Sequence, residues 1–94
     1  MIKYKLTKQA FRALKKLAKS NPKIAKRIKQ TIIDLRINPT KGEALQGYTK
    51  FKKVRVGKYR LIHTVQEDVL WIIIIEKRET VYLTFEHFFK NANF

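Results

Sequence analysis

The stretch from Lys53 to Ile62 constrains the fold more than any other part of this sequence. Polar and apolar residues largely alternate on both sides of a Gly57-Lys58 pair. Alternating segments joined by a two-residue turn that contains glycine predict an antiparallel β-hairpin. Counting outward from the turn pairs Val56 with Tyr59, Arg55 with Arg60, Val54 with Leu61, and Lys53 with Ile62.

This pairing predicts a hairpin with one cationic face. Paired residues share a face and successive residues alternate between faces. Lys53, Arg55 and Arg60 therefore point to one side of the hairpin. Because like charges set directly opposite each other destabilise a sheet, a bound polyanion is expected to offset the repulsion. The plainer interpretation is a solvated sheet face.

The composition favours one small basic domain over residues 1–94. The chain carries 22 lysines and arginines against 7 acidic residues, a formal net charge of +15, and is 45% hydrophobic. That hydrophobic content is ordinary for a globular protein. The positive field attracts phosphate-rich partners, an anionic membrane surface or an acidic protein.

Several kinds of site are excluded. The sequence has no cysteine, and His63 and His87 lack metal-ligand spacing, so we expect no metal site and no other cofactor. No apolar run approaches the roughly 18 residues of a spanning helix, and the first residues do not resemble a signal peptide. We therefore expect a cytoplasmic protein that does not enter a membrane.

The remaining periodicities predict the order β-α-α-β-β-β followed by a small helix. The expected elements are a strand over 2–6, a helix from Thr7 to about Lys19, a helix from Asn21-Pro22 to about Ile37, a loop over 38–48, hairpin strands over 51–56 and 59–65, a turn at Glu67-Asp68, a buried central strand over 69–75, a closing segment over 76–82, and a short helix capped by Thr84.

These elements predict an α+β fold with a mostly antiparallel, twisted sheet. The first helix has an apolar stripe of Ala10, Phe11, Leu14, Leu17 and Ala18. The second has Ile24, Ile28, Ile32 and Leu35 at helical spacing. We expect the two helices to form a helical hairpin on one face of the sheet, with Phe85, Phe88 and Phe89 packing the terminal helix.

The residues that remain for chemistry are cations and one tyrosine. Besides the hairpin cations, Arg78 follows the central strand and Tyr82 lies four residues further on. Arginine binds phosphate oxygens through two parallel hydrogen bonds. Like charge lowers the pKa of a lysine, so neighbouring arginines are expected to lower the pKa of Lys53 toward that of a base. Such a set suits cleavage of RNA by its own 2′-hydroxyl, and passive RNA binding equally well.

Plainer interpretations remain open for individual residues. Arg78 can form a surface ion pair with Glu76 or Glu79, and Tyr82 can be structural at the sheet edge. His63 lies by parity on the apolar side of the hairpin, which favours a core histidine with its hydrogen bonds satisfied over a catalytic one.

The chain resembles the RelE/ParE superfamily of toxins from type II toxin–antitoxin systems. The similarity is carried by Ala13–Leu17 in the first helix, by Asn38-Pro39, Gly42, Leu45 and Gly47 in the loop, by the hairpin Lys53–Ile62, and by Lys77–Tyr82 at its close. These motifs extend in order over nearly the whole chain. The hairpin and its close are typical of the superfamily as a whole. The nearly complete set of lysine, arginine and tyrosine residues resembles the RelE branch, which has a microbial-RNase-like fold.

The resemblance implies a ribosome-dependent mRNA endoribonuclease that inhibits translation. It assigns catalytic roles to Lys53, Arg60, Arg78 and Tyr82, with Lys53 assisting proton transfer. The sequence differs from the pattern of this branch at Arg55, where lysine is usual, and at His63, where an aromatic residue is common. We expect further contacts with the RNA phosphates from Lys52, Arg55, Lys58 and Lys77.

The implied partners are the ribosome, mRNA and a cognate antitoxin. The toxin alone is expected to be monomeric and to form a hetero-oligomer with the antitoxin. Two alternatives stand beside this function: a ParE-type inhibitor of DNA gyrase, and a basic RNA-binding module without catalysis.

Overall fold

A five-stranded sheet carries three helices in residues 1–91, the part of the chain that the structure, a computed structural model, describes. None of these helices is long and apolar enough to cross a membrane. In space the strands lie in the order β1-β5-β4-β3-β2, with β1 parallel to β5 and the other neighbours antiparallel. The predicted α+β class is confirmed. The elements are β1 (Lys3–Leu6), α1 (Lys8–Ser20), α2 (Pro22–Ile37), β2 (Glu43–Leu45), β3 (Tyr48–Val56), β4 (Tyr59–Gln66), β5 (Val69–Lys77) and α3 (Val81–Asn91).

The first two helices begin where their capping residues predict. The Thr7 hydroxyl accepts a hydrogen bond from the Ala10 amide at 3.2 Å and donates one to the Ile73 carbonyl at 2.6 Å. Asn21 caps α2 by accepting from the Ile24 amide at 3.3 Å. Such caps satisfy amides that have no partner within the helix, and the predicted helix starts are confirmed.

The helical pair packs on one face of the sheet, but the predicted stripe of α1 is only partly buried. Ala10 and Leu17 are buried, whereas Phe11 is 54% exposed and Ala18 is also exposed. Phe11 lies beside the edge strand β1 rather than over the sheet, where it borders Tyr4. All four predicted core positions of α2 are buried: Ile24, Ile28, Ile32 and Leu35.

A bulge lets the apolar strand β5 contribute to two cores. The pairing of β4 with β5 skips Ile73. An extra residue shifts the side-chain alternation of the bulged strand by one position. Ile72 and Ile75 therefore pack toward the helical pair, and Ile73 and Ile74 pack toward α3. The prediction that this strand is covered on both faces is confirmed.

Helix α3 closes the second core with an aromatic cluster. Phe85 is buried, and its ring lies edge-on to Tyr48 and Phe51, with centroids 5.1 and 5.0 Å away. Aromatic pairs prefer this arrangement to face-to-face stacking. Phe89 lies at the rim, 37% exposed, with its ring 4.8 Å from that of Tyr48.

The predicted hairpin register is confirmed pair by pair, including Arg55 opposite Arg60. Gly57 has a φ of 60°, a left-handed conformation that glycine adopts without steric cost. The second predicted turn also forms. There Glu67 and Asp68 take φ values of 52° and 61°.

Two predictions about the chain between the elements are wrong. The segment 38–48 is not a simple loop, because Glu43–Leu45 forms β2 and β3 begins at Tyr48. The sheet does not continue to Tyr82, because β5 ends at Lys77 and α3 begins at Val81. Thr84 lies inside that helix, where its hydroxyl donates to Glu76 Oε2 at 3.0 Å instead of capping the helix.

His63 is a core residue, as predicted, but its hydrogen bonds are not satisfied. Its side chain is fully buried, and neither ring nitrogen has a hydrogen-bond partner among the described residues. Burial lowers the pKa of His63 from 6.5 to about 4. The Lys41 backbone carbonyl opposes this shift, and the charge of Lys52 adds to it. The imidazole is therefore neutral in the fold at pH 7.

We expect His63 to make the protein sensitive to acid. Below pH 6.5 the unfolded chain takes up a proton that the folded chain does not bind until about pH 4. The free energy of unfolding should therefore fall by about 3 kcal/mol as the pH falls through this window. Urea unfolding at several pH values measures the change. His63→Leu should lose this slope whatever its absolute stability; an unchanged slope would show that other groups cause it.

Candidate active site

Helix α3 brings Tyr82 to the cationic face of the hairpin. Lys53 Nζ lies 2.7 Å from Tyr82 Oη and 5.2 Å from the centre of its ring. A tyrosine four residues beyond Arg78 reaches β3 because the chain turns over residues 78–80 and then coils into a helix. An extended closing strand would have carried Tyr82 away along the sheet.

An open pocket of about 590 Å³ surrounds this contact. It brings together five site residues predicted from the sequence, which come from β3, β4, α3 and the turn over 78–80: Lys53, Arg55, Arg60, Arg78 and Tyr82. A second cleft of about 450 Å³ shares Arg55, Arg60 and Arg78 and continues over the hairpin turn to Lys58. The first pocket is lined by Gly42, Glu43, Lys53, Val54, Arg55, Arg60, Arg78 and Tyr82.

The hairpin backbone holds the Arg60 side chain in place. Its Nη1 donates to the carbonyls of Gly57 and Tyr59 at 3.1 and 3.0 Å. Its Nε and Nη2 have no hydrogen bond to the described residues and can donate to an anion. The Arg78 amide donates to the Lys58 carbonyl at 3.0 Å, which fixes the start of the 78–80 turn against the hairpin.

The prediction that neighbouring arginines lower the pKa of Lys53 is wrong. The hydrogen bond to Tyr82 raises the pKa of Lys53 above its ordinary value of 10.5, and the charge of Glu43 acts in the same direction. Partial burial opposes the rise. Lys53 is therefore an ammonium group at neutral pH, so it can donate a proton or stabilise negative charge but is not poised to accept a proton.

Glu43 is a pocket residue that reasoning from the sequence missed. It pairs with Lys53 across β2 and β3, and its Oε2 lies 3.7 Å from Lys53 Nζ. Its side chain is 81% exposed. The close approach of the two strands depends on Gly42, since a Cβ there would lie 2.7 Å from the Lys53 carbonyl oxygen. No local signal marks Glu43 in the sequence, because its place in the pocket depends on the pairing of β2 with β3.

The structure does not bring Lys52 and Lys77 into the pocket. Lys52 pairs with His63 and Lys77 pairs with Tyr59, so both lie on the opposite face of the sheet. Lys58 lies in the second cleft. The alternative that Arg78 forms a surface ion pair is not observed within residues 1–91. In the same residues no three histidine, aspartate or glutamate side chains are grouped to hold a metal ion.

Solved structures with the same fold include three toxins or toxin complexes. The isolated E. coli RelE toxin has a TM-score of 0.72 and 18% identity, covering 98% of this chain and 100% of that chain. The YoeB dimer from Staphylococcus aureus has a TM-score of 0.73 and 21% identity, covering 82% and 97%. The YoeB-YefM complex from the same organism has a TM-score of 0.70 and 22% identity, covering 83% and 98%.

Sequence comparison identifies the family itself. No curated protein matches the chain significantly. A family model described as the ParE toxin of the type II toxin-antitoxin system, parDE, matches residues 4–82. Because this match covers most of the sequence, the chain belongs to the ParE toxin family of type II toxin–antitoxin systems, within the RelE/ParE superfamily.

Proposed function

We propose that this toxin is a ribosome-dependent mRNA endoribonuclease of the RelE type. The observation that carries the proposal is the 2.7 Å contact between Lys53 and Tyr82 in a pocket that also contains three arginines. Cations converging on one open pocket suit a phosphodiester, whose charge increases in the transition state of cleavage.

The ribose 2′-hydroxyl next to the scissile bond is the proposed nucleophile. Glu43 is the carboxylate lining the pocket, and we assign it the role of accepting the 2′-hydroxyl proton, because Lys53 is already protonated. The 2′-oxygen then attacks the phosphorus and the bond to the 5′-oxygen breaks. The products are a 2′,3′-cyclic phosphate and a free 5′-hydroxyl.

The other pocket residues stabilise charge and deliver a proton. Arg60 and Arg78 bind the non-bridging oxygens, where arginine forks fit well. Lys53 Nζ donates to Tyr82 Oη, which leaves the tyrosine hydroxyl proton available for the departing 5′-oxygen. A transfer from Lys53 through Tyr82 would protonate the leaving group without an unfavourable tyrosinate.

The ribosome and an antitoxin complete the proposed system. The pocket is open to solvent, so we infer that the ribosome positions the mRNA against it. We further propose that a cognate antitoxin forms a hetero-oligomer with the otherwise monomeric toxin, as YefM does with YoeB in the S. aureus complex. An acidic antitoxin would neutralise the +15 charge.

Primer extension on a translated mRNA tests the proposal. With ribosomes, the protein should produce new 5′ ends within the translated region. The same mRNA without ribosomes should remain intact. Equal cleavage in both samples would contradict ribosome dependence, and no cleavage in either would contradict the nuclease function.

Inhibition of DNA gyrase is the second candidate, because the matching family model is that of ParE. A supercoiling assay separates the two functions. A gyrase inhibitor would block supercoiling at protein concentrations that leave translated mRNA intact. A silent RNA-binding module would affect neither assay specifically.

A further inference from the structure

A second cationic site lies at the far edge of the sheet from the pocket. An open cleft of about 590 Å³ borders the edge strand β1 and the start of α1. β5 and β4 lie between β1 and β3, which separates the cleft from the Lys53 pocket by three strand spacings, roughly 14 Å. We call it the β1-edge cleft; it is lined by Tyr4, Lys5, Leu6, Thr7, Lys8, Phe11 and Trp71.

Three aromatic side chains line this cleft. Phe11 is 54% exposed and Tyr4 is 43% exposed, whereas Trp71 is half-buried and also packs against the second core. Burial of a phenylalanine side chain stabilises a fold, and Phe11 forgoes much of that contribution. Such an arrangement is typical of a surface that contacts a ligand.

Cations accompany the aromatic rings. Lys5 Nζ lies 5.7 Å from the centre of the Trp71 ring, and Arg36 Cζ lies 5.1 Å from that of Tyr4. Arg36 Nε donates to the Ile2 carbonyl at 2.9 Å, so the guanidinium is held beside the ring. Lys8 adds a further positive charge, and no acidic residue lines the cleft.

We propose that the β1-edge cleft binds single-stranded nucleic acid independently of the Lys53 pocket. Flat aromatic faces accept stacked bases of any sequence, and neighbouring cations bind the phosphates between them. Phe11 and Tyr4 are the stacking residues, Lys5 and Lys8 are the phosphate contacts, and Trp71 lines the same cleft. An acidic peptide would use the cations but has no regular succession of planar groups to match the rings.

The fluorescence of Trp71 tests the proposal directly, because it is the only tryptophan in the sequence. The probe is a short 2′-O-methyl oligouridine, whose blocked 2′-oxygen prevents the proposed cleavage. It should quench the fluorescence saturably, with weaker binding at higher salt. Phe11→Ala should weaken binding about tenfold or more, and Lys5→Ala should weaken it and reduce the salt dependence.

Matched variants separate a site from general charge effects. Ile33, 40% exposed on α2, and Lys26, exposed on the same helix, provide the apolar and the cationic control. Ile33→Ala and Lys26→Ala should leave the midpoint of quenching within about twofold of the original. Arg60→Ala should also leave it unchanged, so the proposal can fail or succeed separately from the nuclease function. Circular dichroism confirms that each variant is folded.

Three results would overturn the proposal. The first is an absence of quenching by the oligonucleotide. The second is equal quenching by inorganic polyphosphate, with no effect of Phe11→Ala, which would indicate charge attraction alone. The third is a change in Trp71 fluorescence only when the antitoxin complex forms, which would make the cleft a protein-binding surface.

Discussion

Arg60→Ala is expected to reduce ribosome-dependent cleavage of mRNA by roughly 10²- to 10³-fold. Arg60 lines the pocket, and its Nη1 is anchored to the hairpin backbone, so the guanidinium is oriented before RNA binds. A preoriented donor stabilises the transition state without reorganisation. Single-turnover cleavage of ribosome-bound mRNA measures the change.

Binding separates this role from a general effect of charge. Arg60→Ala should retain most of its affinity for the ribosome, because one of many positive charges is removed. Lys26→Ala removes the same charge from an exposed position on α2 and should leave cleavage nearly unchanged. If both variants lose cleavage and binding in the same proportion, the catalytic assignment of Arg60 is wrong.

Glu43→Gln is expected to reduce cleavage by about 10²- to 10⁴-fold, the range for loss of a general base. Glutamine keeps the size of the side chain but cannot accept the 2′-hydroxyl proton. Quenched-flow measurements of the cleavage of ribosome-bound mRNA record the effect.

The free energy of unfolding serves as the control for Glu43→Gln. The exposed ion pair of Glu43 with Lys53 contributes at most about 1 kcal/mol to it. Thermal unfolding of Glu43→Gln should therefore differ little from that of the original protein. Lys53→Ala should also reduce the rate, because the ammonium group stabilises negative charge in the pocket. Full activity of Glu43→Gln together with an inactive Lys53→Ala would contradict the assignment of the base to Glu43.

Local sequence signals predicted much of the fold. Thr7 and Asn21 predicted the starts of both helices, because a capping side chain bonds to a backbone amide only two or three residues further along the chain. The hairpin register followed from one glycine turn and a period of two. The continuous apolar run over 69–75, rich in β-branched residues, likewise indicated that β5 is buried on both faces. These features depend on contacts between residues close in the chain or on a strict repeat.

The errors occur where distant segments meet. Nothing local in Glu43–Leu45 indicates that this segment pairs with β3. The bulge at Ile73 likewise depends on distant residues, because β5 contributes side chains to two separate cores. The assignment of Tyr82 to a strand failed because β-branched and aromatic residues fit a strand and a buried helix face equally well over a short segment. Burial of Val81 and Phe85 favours the helix.

The sequence by itself determined the cationic face of the hairpin, because residue alternation and turn chemistry suffice to place Lys53, Arg55 and Arg60 together. Only the tertiary structure determined which groups surround Lys53 and therefore the direction in which its pKa shifts. It placed the Tyr82 hydroxyl and the Glu43 carboxylate beside Lys53, which raises the pKa of a lysine that like charges alone would lower. Proton affinity depends on the nearest charges and hydrogen bonds in space, and these come from a helix and a strand that the hairpin sequence does not contain.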